Sequence, residues 1–105
     1  MVDVAAIDGG VLTIAAARNF LRVGTSVDAQ VLELLPAAQG RIESFLGRNE
    51  LVGATGWPTA DQVPAIVVHC VKLALSDLYV NREGPQLTDD QLRPIIGRYM
   101  AVSVA

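Results

Sequence analysis

The longest regular pattern of apolar positions lies between residues 27 and 46. Its members step mainly by three and four residues, which is typical of an amphipathic helix. They are Val27, Val31, Leu34, Leu35, Ala38, Ile42, Phe45 and Leu46. Ser26 is the expected N-cap, Asp28 places a negative charge in the first turn, and Gly47 is a suitable C-terminal stop. Because Pro36 removes one backbone hydrogen bond inside this helix, we expect a kink there rather than two separate helices.

A shorter apolar pattern follows the Gly9-Gly10 breaker. Three- and four-residue spacings place its apolar side chains on one side of a helix. These are Ile14, Ala17 and Leu21. Thr13 is the expected N-cap, and we expect Gly24 to end this first helix.

The third helix is expected to begin near Pro64 and to run to about Arg82. It is apolar nearly all round, and a narrow polar stripe is left by His69, Lys72, Ser76 and Glu83. A helix that is apolar on every side must be buried on every side. In a chain of four helices this short, a second subunit is the natural cover.

The fourth helix has the clearest local signal. Thr88 and Gln91 match a capping box, and Leu87 with Leu92 occupies the two positions of a hydrophobic staple. Pro94 is expected to shorten or bend this helix.

Two segments fall outside the helical patterns. Residues 48 to 62 form a long loop, in which Leu51-Val52 is compatible with a strand of a few residues. Trp57 in this loop is expected either to contact a partner or to pack on the core of its own chain. Residues 99 to 105 are uncharged and have some β preference.

These patterns predict an all-α fold in a single domain, residues 1 to 105. We expect a four-helix subunit with a long central apolar helix, a long loop between helices 2 and 3, and an extended C-terminal tail. Residues 1–11 are interpreted as an N-terminal arm, 12–98 as the helical body and 99–105 as the tail.

The composition strengthens the case for burial between chains. Apolar residues make up 51% of the chain and charged residues only 18%, against about 25% charged residues in ordinary domains. A domain of this length hides only about two thirds of its unfolded surface. We therefore expect part of the apolar surface to be buried against other chains, and we exclude disorder for the chain as a whole.

The charge and the cysteine content exclude several classes of protein. A net charge of −3 has the wrong sign for a protein that grips phosphates, and a single cysteine, Cys70, allows neither an internal disulfide nor a Cys-based zinc site. The acidic N-terminus does not resemble a signal peptide, and the uncharged run between Asp61 and Lys72 is too short for a membrane helix. We expect a soluble chain without an export signal.

Candidates for catalysis are weak. His69 and Cys70 are neighbours in sequence and point about 100° apart on a helix, so they cannot form a nucleophile–base pair. Asp89 and Asp90 are ordinary complements of a helix dipole in a first turn. We expect neither an enzyme nor a site for a metal or a cofactor.

A set of short motifs, taken in order, nevertheless resembles a known family. The motifs are Leu12-Thr13, Phe20-Leu21-Arg22-Val23, Asp28, Ala37-Ala38, Ile42-Glu43-Ser44-Phe45-Leu46-Gly47-Arg48, Leu78-Tyr79-Val80-Asn81-Arg82-Glu83, Leu92-Arg93-Pro94 and Arg98-Tyr99. Over residues 12 to 99 their order and spacing resemble the small head–tail connector (adaptor) proteins of long-tailed bacteriophages and of phage-like gene transfer agents. Pro36 and Gly40 depart from the smoother second helix of that family, and no motif covers the tail.

The resemblance implies a four-helix subunit that forms a ring, usually of twelve copies, beneath the portal of the capsid. Such a ring extends the DNA channel and docks the next neck or tail component. It has no catalytic activity and no cofactor, and double-stranded DNA passes through it without being read. The implied location is the neck of a virion assembled in the cytoplasm of a bacterial host, without a membrane.

This interpretation assigns candidate sites along the chain. We expect the tail to bind the portal by adding a strand through Tyr99, Met100, Val102 and Val104, and disorder is the alternative. The expected contacts between subunits are Arg48, His69, Lys72, Asp77 and Arg82, and the expected contacts with the next neck component are Leu51 and Trp57.

Two of these arginines have alternative roles. Arg48 and Arg82 are expected either to bridge subunits to acidic groups or to complement the dipoles of helix C-termini. The acidic candidates are Glu43, Asp77 and Glu83. We also expect acidic residues to line the channel, so that DNA slides; a lumen ringed by arginines would contradict this expectation. The candidate arginines are Arg18, Arg22 and Arg41.

Two other functions compete with the connector interpretation. One is a small helical regulator that binds nucleic acid, although this chain shows no basic recognition helix. The other is a different neck protein, such as a stopper or a tail-completion protein, which we expect to contain more β structure.

Overall fold

A computed structural model describes residues 6, 7 and 9–100, and within this part of the chain the fold is all-α. The four helices are α1 Ile14–Leu21, α2 Asp28–Leu46, α3 Ala65–Val80 and α4 Asp89–Ile96. Single 3-10 turns occupy Thr25–Val27, Ala60–Gln62 and Gly97–Tyr99. The prediction of four helices is confirmed, whereas Val102 and Val104 lie outside the described residues.

Helix α1 begins as predicted and ends earlier. The side chain of Thr13 accepts a hydrogen bond from the backbone N–H of Ala16 at 3.0 Å, so this N-cap is confirmed. The prediction that Gly24 ends the helix is wrong. Arg22 adopts the left-handed conformation with φ 58°, and the N–H of Val23 closes the helix by donating to the carbonyl of Arg18.

Helix α2 runs through Pro36 as one unbroken helix of 19 residues. Gly47 ends it with φ 69°, as predicted, and donates its N–H to the last turn. The prediction of Ser26 as N-cap is wrong, because a 3-10 turn precedes the helix and Val27 occupies the cap position without a side-chain hydrogen bond. Asp28 lies in the first turn, 3.4 Å from the guanidinium of Arg18.

Helix α3 packs against α2 with the opposite chain direction, since Leu34 near the start of α2 and Leu78 near the end of α3 line one cavity. Its buried face consists of Val67, Cys70, Val71, Ala74 and Leu75. The helix ends at Val80, two residues before the predicted end at Arg82. Burial on every side does not occur within a single chain, because Val80 remains 71% exposed.

Helix α4 carries the predicted capping box with both of its hydrogen bonds. The Thr88 side chain accepts from the Gln91 N–H, and the Gln91 side chain accepts from the Thr88 N–H. Leu92 is fully buried, and Leu87 packs partly buried against the same core. The helix contains Pro94, extends over only eight residues and passes directly into a 3-10 turn.

The loop between α2 and α3 is anchored to the core. Leu51 is fully buried, its carbonyl accepts a hydrogen bond from the Trp57 N–H at 2.8 Å, and the Gly53 N–H donates to the carbonyl of Trp57 at 2.9 Å. In place of the strand suggested around Leu51-Val52, the structure has one isolated bridge between Val52 and Trp57. Within the described residues, no helix is long and apolar enough to cross a bilayer.

Candidate partner-binding surface

Three side chains meet where the described chain approaches its end, and we call them the tail-root cluster: Arg48, Trp57 and Tyr99. The Arg48 guanidinium lies over the Trp57 ring, with its carbon 4.6 Å from the ring centroid. The same group donates from Nε and Nη2 to the carbonyl oxygen of Tyr99, at 3.3 and 3.1 Å. The rings of Trp57 and Tyr99 meet edge to face with centroids 6.1 Å apart.

Local structure explains why these residues meet. The left-handed Gly47 ends α2 and turns the chain immediately before Arg48. The bridge to Val52 fixes the backbone of Trp57, and the 3-10 turn after α4 positions Tyr99. The cluster therefore joins the end of α2, the long loop and the root of the tail.

The residues flanking Tyr99 extend this cluster. The Arg98 guanidinium lies 4.9 Å from the centroid of the Tyr99 ring, and its Nη2 donates to the Tyr99 hydroxyl at 3.1 Å. Met100 is 41% exposed. The surface thus combines two guanidinium groups with two aromatic rings and an exposed thioether.

The sequence assigned these residues to three different partners. Arg48 was expected between subunits, Trp57 against the next neck component, and Tyr99 with Met100 against the portal. The structure brings Arg48, Trp57 and Tyr99 into contact, and Met100 follows Tyr99 in the chain. Leu51, the other expected loop contact, is buried in the core of its own chain and has no surface to offer a partner.

Asp77 also has partners within its own chain. Its carboxylate accepts from the backbone N–H groups of Gln86 and Leu87, both at 2.9 Å, and from the Asn81 side chain at 3.0 Å. Partial burial by itself raises the pKa of Asp77, but these hydrogen bonds and the charge of Arg41 outweigh it and hold the pKa below its ordinary value. Its carboxylate therefore fixes the turn between α3 and α4.

The other expected subunit contacts remain on the surface. His69 is exposed on α3, with its ring edge to face with Phe20 at 6.0 Å. Lys72 is half-buried on the same helix, one turn further along. Arg82 lines a cavity of about 270 Å³ with Glu33 between the end of α3 and the start of α2. Within the described residues, neither Arg48 nor Arg82 forms a salt bridge to the expected acidic groups.

The reactive groups on α3 point in different directions. Cys70 is buried, and burial raises the pKa of its thiol, whereas the neighbouring His69 is exposed. Among the described residues, no three His, Cys, Asp or Glu side chains lie close enough together to hold a metal ion. Thiol and imidazole therefore have no shared site in this conformation.

Sequence reasoning missed a polar link centred on Gln39, which is 6% exposed. Its side chain accepts from the Val11 N–H at 3.0 Å and donates to the Gly9 carbonyl at 2.8 Å. It also donates to Glu43, whose carboxylate accepts from the Leu51 N–H. The sequence signal that could have indicated a buried glutamine is its position four residues after Leu35, on the apolar side of α2.

The sequence matches no known protein family and no curated protein, and the fold matches no solved structure. A function must therefore be argued from the surfaces of this chain together with the motif resemblance described above.

Proposed function

We propose that the chain is the subunit of a head–tail connector ring. In this role, about twelve copies assemble beneath a portal, extend its DNA channel and dock the next neck component. The observation that carries the proposal is a partly exposed apolar row along α3. The order and spacing of the motifs over residues 12 to 99 resemble those of connector proteins, and this resemblance is the reason for assigning the assembly to a connector.

The apolar row consists of Ile66, Leu73 and Val80. Their spacing of seven residues is close to two helical turns, so the three side chains lie along one side of α3 over about 21 Å. Ile66 is 36% exposed, Leu73 is half-buried and Val80 is 71% exposed. Large apolar residues at this spacing favour packing against a second helix.

The exposed apolar residues support an assembled state. Full burial of one large aliphatic side chain contributes about 1.5–3 kcal/mol, which favours contact between copies. Further exposed apolar residues are Leu32, Ile95 and Met100.

The charges suit DNA that passes without being held. Three arginines are neutralised within the chain by carboxylates at 3.4, 2.6 and 3.0 Å. These pairs are Arg18–Asp28, Arg41–Asp89 and Arg93–Asp90. With a net charge of −3 per copy, a ring repels phosphates more than it attracts them. The same pairing disfavours a regulator that binds nucleic acid.

Electron microscopy of negatively stained protein tests the proposal. The purified chain is imaged alone and after mixing with candidate phage portal particles, and rings with a central hole, coaxial with the portal in the mixture, are expected. Val80→Asp is expected to abolish the rings because it places a charge in the apolar row. Ala54→Asp, which adds the same charge to an exposed loop position, is expected to preserve them.

Circular dichroism checks that both variants remain folded. Folded wild-type protein that forms no ring and binds none of the portals contradicts the connector role. Rings that persist in folded Val80→Asp show that α3 is not the contact between copies.

A further inference from the structure

The arginines of this chain fall into distinct groups. Three have carboxylate partners, as described above. Arg48 and Arg98 instead lie against aromatic rings and donate to oxygen atoms of Tyr99. Within the described residues, neither has a carboxylate within salt-bridge distance. Both guanidinium groups therefore contact Tyr99, one at its carbonyl and one at its side chain, and neither has a carboxylate partner in the part of the chain that the structure describes.

Both guanidinium groups retain hydrogen-bonding capacity. A guanidinium has five N–H donors in a rigid fork that matches a carboxylate. Arg48 uses donors of two nitrogens on the Tyr99 carbonyl, and Arg98 uses one on the Tyr99 hydroxyl. Arg98 is exposed and Arg48 is half-buried, so donors remain for an incoming acid. Stacking on the rings reduces the side-chain entropy that binding would otherwise remove.

The apolar surroundings define the ligand further. Half-buried Trp57 and Tyr99 provide the rings that the two cations contact, and Met100, the next residue along the chain, is 41% exposed. Such a surface accommodates apolar side chains between carboxylates. Two guanidinium groups without a carboxylate partner among the described residues favour a partner of opposite charge at this place, in a chain whose net charge is −3.

We propose that the tail-root cluster is a receptor for an extended acidic segment with interspersed apolar residues, carried by the protein that the chain end engages. This inference rests on the proposed function, in which that protein is the portal. It replaces two separate contacts, one by the loop and one by the tail, with a single composite surface that binds one partner.

Fluorescence of Trp57, the single tryptophan of the chain, reports binding directly. The probe is a capped peptide of alternating glutamate and valine, and the control is the corresponding lysine–valine peptide. We expect a saturable change in emission with the acidic peptide, weakened by added salt, and none with the basic one. Arg98→Gln is expected to weaken binding about three- to fivefold, in the range of one exposed ion pair.

Arg93→Gln is the matched control, because it removes the same charge from the same short segment but lies outside the cluster. It is expected to leave the affinity unchanged. Equal weakening by Arg93→Gln, or equal binding of the basic peptide, overturns the proposal. Tighter binding of a short DNA duplex than of the acidic peptide assigns the site to nucleic acid. Loss of self-association in Arg98→Gln assigns the site to a contact between copies. Either result overturns the proposal.

The outcomes also separate this inference from the connector role. A protein that forms rings on a portal but does not bind the acidic peptide loses the receptor and keeps the connector function. A protein that binds the peptide but never forms rings keeps the receptor and loses the connector function.

Discussion

Asp77 illustrates how one carboxylate determines the path of a whole segment. It lies in the last turn of α3, where a negative charge opposes the helix dipole. Its hydrogen bonds to the backbone of Gln86 and Leu87 compensate for that position and direct the chain into α4. Asp77 was expected to form a contact between subunits, whereas the hydrogen-bond donors that the structure shows for it belong to its own chain.

Replacement of Asp77 by Asn tests this role. We expect the variant to lose about 1–2 kcal/mol of unfolding free energy at pH 7, because two charge-assisted hydrogen bonds weaken. Urea denaturation measures the difference. Asp61→Asn, at an exposed position, is the control and should be neutral. Comparable losses for both variants exclude a special role for Asp77.

The pH dependence of this contribution has a defined sign. The folded-state pKa of Asp77 lies below its unfolded value, so its stabilisation is present above the unfolded pKa and is lost as pH falls through the folded one. The gap in stability between wild type and Asp77→Asn should therefore narrow below about pH 4. A gap that stays constant from pH 7 to pH 2 contradicts the assignment.

The buried thiol gives a second test at the same scale. Because burial raises the pKa of Cys70 and excludes solvent, we expect an aromatic disulfide reagent to leave it unmodified in the native protein and to react fully in urea. Rapid modification of native protein shows that α3 is not packed as described.

At the scale of elements, Gln39 attaches the segment before α1 to α2. We expect Gln39→Ala to accelerate exchange of the Val11 amide hydrogen at least tenfold, since that N–H loses its acceptor. NMR measures the hydrogen-exchange rate of the Val11 amide in both proteins. Gln30→Ala, the same substitution elsewhere on α2, should leave the Val11 amide unchanged; slow exchange in Gln39→Ala shows that the segment is held by other contacts.

Two glycines, one within α2 and one directly after it, are expected to respond oppositely to replacement by alanine. A Cβ at Gly40 meets nothing within 4 Å, so Gly40→Ala should add about 0.5–1 kcal/mol of stability through helix propensity. Gly47 has φ 69°, so Gly47→Ala should destabilise the chain by about 1 kcal/mol. Thermal unfolding of both variants distinguishes the signs, and two changes of equal sign contradict the backbone description.

These elements also show what sequence can predict. The caps by Thr13, Thr88 and Gly47 were predictable because each depends on partners within five residues. The left-handed Arg22 was not, because a glycine two residues later carried the ordinary stop signal. The tail-root cluster was not either: it joins Arg48 to Tyr99, 51 residues apart, through tertiary packing that no local pattern encodes.

For the whole molecule, the sequence predicted too much apolar surface for one copy, and the structure shows where it lies. Among the described residues, two of the five exposed large apolar side chains lie on α3, and the other three lie on α2, on α4 and at Met100. Exposed apolar residues on several elements suit a ring, in which each copy contacts two neighbours through different surfaces. Burial of α3 on all sides remains a prediction about the assembled protein.

Native mass spectrometry tests the multi-copy state most directly. At micromolar concentration, alone and mixed with portal rings, the protein should produce a dominant species of one fixed copy number, near twelve chains of 11.1 kDa. Val80→Asp should shift this species to single chains. A wild-type protein that remains at the mass of one chain under both conditions contradicts the account.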